Sequence, residues 1–235
     1  MEIRPDTQPT PALVTPAPLP DVRSGDYSAA FAELWPRTVA WVEPYYDGVH
    51  LFHTARWLRT LDPDVSEPLL IAGVTHDMER HFPGGTQPDK AAGAWDDVAY
   101  NTRHCRRSAT IVADWLRDQG VSAEFIARVE PAILEHEFGG SADGDLLQAA
   151  DSIWFLEVNG RLVTDWVLRG ETTLPLGLEK LEWMYERIKP PHAREIARPY
   201  LGLAVESVRT ALAGEVAEGA ASSPPPPSRS TRPSR

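Results

Sequence analysis

The chain has a single cysteine, Cys105, among 235 residues. No intrachain disulfide can form, and a reducing, cytoplasmic setting is the expectation. Long apolar runs are missing as well. No stretch approaches the roughly 20 residues that a membrane-spanning helix needs, and the opening MEIRPDTQPTPALVTPAPLP lacks the basic start and apolar block of a secretory signal. Basic charge is scarce: 23 Lys and Arg stand against 34 Asp and Glu, a formal net charge of -11. A nucleic acid or an anionic membrane would repel such a chain at long range, so the expected partner is a small-molecule substrate. No pair of alternating segments joined by Asn-Gly or Asp-Gly marks a β-hairpin.

Proline is plentiful at the two ends. Residues 1–23, and GEVAEGAASSPPPPSRSTRPSR from Gly214 onward, hold little to bury. Both are expected to be disordered tails whose prolines could dock in an aromatic groove of a protein partner. One folded domain is expected over 24–213, and 42% hydrophobic residues can fill its core.

Between the tails the apolar residues recur with a 3.6-residue period, which predicts an all-α domain. Helices are expected over Tyr27–Val42 with a break at Pro36, and over Asp47–Leu61. Ser66 should cap a third that runs to about Phe82, and PGGTQPDKAAGAW should be a loop. Asn101–Gln119 should end at Gly120, and a helix capped by Ser122 should reach about Glu137. Asp145–Asn159, stopped by Gly160, and helices over 161–169, 177–188 and 191–213 complete the pattern.

Placed on these helices, most histidines continue an apolar stripe. His76 follows Leu69, Ala72 and Gly73; His104 leads Ser108, Ile111, Val112 and Trp115; His136 ends Phe125, Val129, Ala132 and Ile133. Asp151 sits inside the apolar segment LLQAADSIWFLE, where an unpartnered carboxylate would be expensive to ionise. His53 is the candidate on the second helix, with His50 one turn earlier as its competitor. Several helices each pointing a His or Asp inward would crowd unpaired polar groups into one core unless a cation collected them. Imidazole and carboxylate ligands without thiolate suit Mn, Fe, Co, Ni or Zn. His76 and Asp77 are adjacent, so on a helix they diverge by about 100°. Asp77 could then reach another edge of the ion, or bridge two.

The ordered set HTAR at His53, THDMER at His76 and Asp77, and QAADS at Asp151 resembles the HD-domain superfamily of metal-dependent phosphohydrolases. The resemblance covers about Asp47 to Asn159. It implies an HD-type helical bundle with a buried mono- or dinuclear site, in which His53, His76, Asp77 and Asp151 hold one ion. His104 and His136 stand where two-metal members add two histidines. Asp77 and Glu79 are the candidate catalytic carboxylates, Glu79 as a general base or as a partner of Arg80. Many hydrolytic members carry a phosphate-contacting lysine soon after the doublet, whereas this chain has Glu79 and Arg80. Arg80, Arg56, Lys90 and Arg103 are the candidates for holding substrate. The resemblance implies metal-assisted hydrolysis of a small phosphate ester or nucleotide. A branch resembling the myo-inositol and phosphonate oxygenases uses the same ligands for a di-iron pair that activates dioxygen. The motif does not separate the two.

Overall fold

The computed structural model describes residues 13–45, 48–85, 92–93, 95–158 and 160–221, with the backbone alone for 214–221. Among these residues all regular structure is helical. In chain order the helices are α1 (Ala29–Val42), α2 (Gly48–Leu61), α3 (Glu67–Thr75), α4 (Val98–Asp118), α5 (Ala123–Glu135), α6 (Ala142–Val158), α7 (Gly160–Leu168), α8 (Leu174–Glu186) and α9 (Pro191–Ala221). A short 3-10 helix, Met78–His81, follows α3.

The local signals explain most of these boundaries. Ser28 caps α1 by accepting a hydrogen bond from the Phe31 amide, and Ser122 caps α5 by accepting from that of Phe125. Gly120 closes α4 with φ of 74°, a conformation that glycine adopts without strain. Three expectations change. Pro36 lies within α1 without breaking it, because its ring sits on the exposed face and only its own missing N–H is lost. Ser66 occupies the cap position of α3, but its hydroxyl makes no capping bond. Pro68, with no N–H, has removed one of the donors such a cap would satisfy. The third helix stops at Thr75, well short of Phe82, and the doublet lies beyond its end.

The core forms around two helices that are apolar on nearly every side. In α3 every residue from Pro68 to Thr75 is buried, and in α6 so is every residue from Leu147 to Ile153. Around them α2 packs on α3 and α6, α5 on α3, α4 and α6, and both α8 and α9 on α6. The helices that carry the candidate ligands are therefore mutual neighbours.

The expected N-terminal tail is not wholly apart from the domain. Residues 13–23 include buried Pro16 and Pro20, and they lie against α2 and α9. A proline-rich backbone leaves its carbonyls free of internal partners. Here Arg56 donates from Nε to the Ala17 carbonyl (3.0 Å) and from Nη2 to that of Pro16 (3.3 Å), Arg59 donates to Pro18, and Tyr200 to Val14. Thr60 accepts from the Ala17 amide at 2.7 Å. At the other end α9 continues past 213 to Ala221. Residues 1–12 and 222–235, and with them most of the expected tails, lie outside the described residues.

Gly160 opens α7 against the backbone of α9. A Cβ there would stand 3.0 Å from both the Ala204 Cα and its carbonyl oxygen, and a backbone cannot rotate aside as a side chain can. Gly160→Ala is expected to destabilise the fold by about 1–3 kcal/mol, the range for overpacking. Urea denaturation should show a lower midpoint at an unchanged m-value.

Candidate metal centre

Five helices deliver the polar groups to one place. The stretch between α3 and the 3-10 helix carries His76 and Asp77. His76 keeps helical dihedrals, whereas Asp77 has φ -101° and ψ 12°, so the helix breaks between the ligands. The break, rather than helical divergence alone, sets the direction of the Asp77 carboxylate. His136 sits at the C-terminal cap of α5, His104 and Asp151 lie within α4 and α6, and His50 lies in the first turn of α2.

His50, His76 and Asp77 form one group whose ligand atoms lie within 4.8 Å of one another; Asp77, His104 and His136 form another. Asp77 belongs to both. Asp151 joins the first, with Oδ1 2.8 Å from His50 Nε2 and 3.6 Å from His76 Nε2. The four imidazoles run edge to face: His50 to His76 (5.1 Å between centroids), His76 to His136 (4.9 Å) and His136 to His104 (5.1 Å).

The ring nitrogens test whether a cation fits. His76 Nδ1–H donates to the Gly73 carbonyl at 3.0 Å and His136 Nδ1–H to that of Ile133 at 2.7 Å. That orients each ring with its Nε2 inward. Both Nε2 atoms are buried, and neither has a hydrogen-bond partner. A buried acceptor without a donor is costly, and a divalent ion is the partner that this donor set fits. His104 is oriented by a carboxylate, its Nδ1 lying 2.8 Å from Glu79 Oε1, while its Nε2 faces Asp77 Oδ1 at 2.8 Å.

The carboxylates are held ready as ligands. Burial works against the Asp77 anion, but the charges of Arg80 and His104, the hydrogen bond from His104 and the approach of the His136 ring prevail, leaving it well below the usual carboxylate range. Asp151 is likewise well below that range: burial is outweighed by the hydrogen bond from His50, the nearby His76 ring and the Arg187 charge. Burial keeps His76 below its ordinary value against the opposing pull of Asp151 and Asp77, as a ligating imidazole requires. Arg187 bonds Asp151 and Glu137 and donates from Nε to Ser152 Oγ at 2.8 Å. Despite burial, that guanidinium holds the Glu137 carboxyl down at about 2.

Most of the predicted site residues that are described converge, and three, His53, Arg56 and Arg103, do not. His76, Asp77, His104, His136 and Asp151 come together; the remaining position belongs to His50 rather than His53. His53 points away, its Nδ1 4.0 Å from Glu157. His50 lies four residues before buried Thr54 and seven before buried Trp57, a stripe that could have singled it out. Arg56 is engaged by the N-terminal segment, Arg103 is exposed on α4, and Lys90 lies outside the described residues. Glu79 is buried, but it pairs with His104 and Arg107 rather than with Arg80, and so supports a ligand rather than facing the cluster's interior. Arg80 does reach the cluster: its Nε is 2.7 Å from Asp77 Oδ2, and its Nη1 donates to the Tyr100 hydroxyl at 3.0 Å. Glu137 and Arg187 escape a reading by motif, since only the approach of the α8 terminus to α5 and α6 pairs them.

Fold and cluster together define an all-helical protein with a buried His/Asp group that could hold metal. No helix among the described residues is long and apolar enough to cross a membrane. Comparison with protein-family models, with curated proteins and with solved structures gives no match.

Elemental analysis of purified variants checks the ligand assignment. Asp77→Ala and His76→Ala should lose metal while circular dichroism remains helical. His50→Ala should lose it too, and His53→Ala should keep it. Glu79→Ala, which frees the His104 ring, should weaken metal affinity by about 10- to 100-fold, the usual cost of removing such a support.

Proposed function

We propose that the chain is a metal-dependent phosphohydrolase of the HD-domain type that acts on a small phosphate ester or nucleotide. The observation that carries the reading is a His/Asp cluster with Asp77 common to both halves and two half-buried guanidinium groups, Arg80 and Arg187, at its edge. Divalent ions bound there would supply a Lewis acid and a water whose pKa is lowered toward about 7.

The chain's own residues supply the rest. His76 and His136, fixed by backbone carbonyls, aim Nε2 at the site without rotating. Asp77 and Asp151 remain anionic at neutral pH. Arg80, whose pKa the Asp77 carboxylate raises against the effect of burial, stays charged and offers the planar fork of donors that matches phosphate oxygens. Arg187 holds Asp151 and Glu137 in place. An acidic surface around this cationic edge suits a small ligand better than a polyanionic polymer.

The test pairs metal analysis of protein purified without chelator or added metal with release of p-nitrophenol from p-nitrophenyl phosphate. The expected result is one or two transition-metal ions per chain and turnover that Asp77→Ala abolishes. Arg80→Ala should lower kcat/KM about tenfold or more, equivalent to about 1.4 kcal/mol of transition-state stabilisation. Two irons per chain, with substrate-dependent oxygen uptake and no phosphate release, would instead move the chain to the di-iron oxygenase reading. A protein purified without metal would remove both.

A further inference from the structure

Lys180 is half-buried, and among the described residues no anion lies within bonding reach of it. It rises from α8 with Nζ 4.2 Å from the ring centre of Trp183, 5.2 Å from Phe155 and 5.3 Å from Trp95. Aromatic rings offer an ammonium only their π faces. Among the described residues no hydrogen bond or ion pair engages its three donors. Burial pushes the amine down to about 7 and Arg187 adds to the effect, against the opposing pull of Glu137 and Asp151. Those charges, together with Arg80, all belong to the edge of the His/Asp cluster, so the ammonium stands in the cluster's electrostatic field.

A cavity of about 350 Å³ has Asn101, Glu137, Gln148, Trp183 and Arg187 in its wall. Its polar wall is tied to the candidate ligands. Asn101 lies three residues before His104, Gln148 three before Asp151, Glu137 follows His136, and Arg187 bonds Asp151. Trp183 belongs both to this wall and to the ring cage around Lys180. Trp183 thus links the lysine to a cavity whose wall holds Arg187, which bonds the cluster's Asp151.

We propose that Lys180 binds the phosphate group of the substrate, an assignment that rests on the phosphohydrolase reading. Arg187 is already engaged by Asp151, Glu137 and Ser152, and Arg80 by Asp77 and Tyr100, whereas Lys180 has no acceptor among the described residues. A phosphate brings both the acceptors and the negative charge that offset the cost of desolvating an ammonium. The rings brace the side chain and leave the donors to the ligand. The phosphate-contacting lysine missing after the doublet is supplied in this way from α8.

Calorimetric titration of the full chain, as purified with its metal, with inorganic phosphate tests the contact. Lys180→Met keeps the length of the side chain and removes the charge; Lys180→Arg keeps the charge. The Met variant should bind phosphate at least tenfold more weakly and raise KM for p-nitrophenyl phosphate by a similar factor. Its kcat should change less, its metal content should not change, and the Arg variant should recover part of the loss. A lysine that merely packs among rings would leave phosphate affinity unmoved, and that result overturns the proposal. Acetylation of the wild-type chain at pH 7, mapped by mass spectrometry, reads the contact without a substitution: phosphate should slow modification of Lys180 several-fold, and no protection overturns it. Lys180-dependent phosphate binding without ester hydrolysis would keep this contact and remove the phosphohydrolase reading. Hydrolysis with unchanged KM and phosphate affinity in the Met variant would do the reverse. A wild-type chain that binds no phosphate also overturns the assignment.

Discussion

Two carboxylates and four imidazoles, drawn from five helices and taken almost wholly out of water, impose the constraint on which the rest of the structure depends. A buried charge is tolerated only with partners, and a buried ring nitrogen only with a hydrogen bond or a ligand bond. Asp77 meets the requirement through Arg80 and His104, and Asp151 through His50 and Arg187. His76 and His136 meet only half of it, each tied to a carbonyl through Nδ1 and left without a hydrogen bond at Nε2. That asymmetry, repeated on two helices and aimed at one point, is the feature of the core that a cation accounts for and apolar packing does not.

The helices around the cluster are arranged as this demand requires. The buried helices α3 and α6 place the doublet and Asp151 deep in the core, and the break after His76 turns Asp77 toward both sets of histidines. A further layer of charge then holds the ligands: Glu79 fixes His104 and is itself fixed by Arg107, while Arg187 joins Asp151, Glu137 and Ser152. Such a network is favourable only when every member is satisfied. The edge is cationic although the chain as a whole is acidic, which separates the charge that meets a ligand from the charge that covers the surface.

Much of this was legible in the residues themselves. The helical class, the cap at Ser122, and the inward direction of His76, His104, His136 and Asp151 follow from short-range signals, because side chains three or four positions apart share a face. His50 and His53 show the limit of that reasoning. They lie three residues apart on one helix, and the rotation of α2 against α6 decides that His50 meets Asp151 while His53 turns to Glu157.

Composition and periodicity, by themselves, determined an all-helical domain with polar ligands on apolar faces, since these depend on neighbours along one helix. Only the tertiary structure decided which groups complete the site. Arg56 has the same local setting as many surface arginines, and only the N-terminal segment laid across α2 occupies it. Glu137 and Arg187 carry no motif, yet they reach the cluster because the end of α5 and the helix α8 both pack against α6. Contacts between residues far apart in the chain are set by how whole helices dock, and no local pattern encodes that docking.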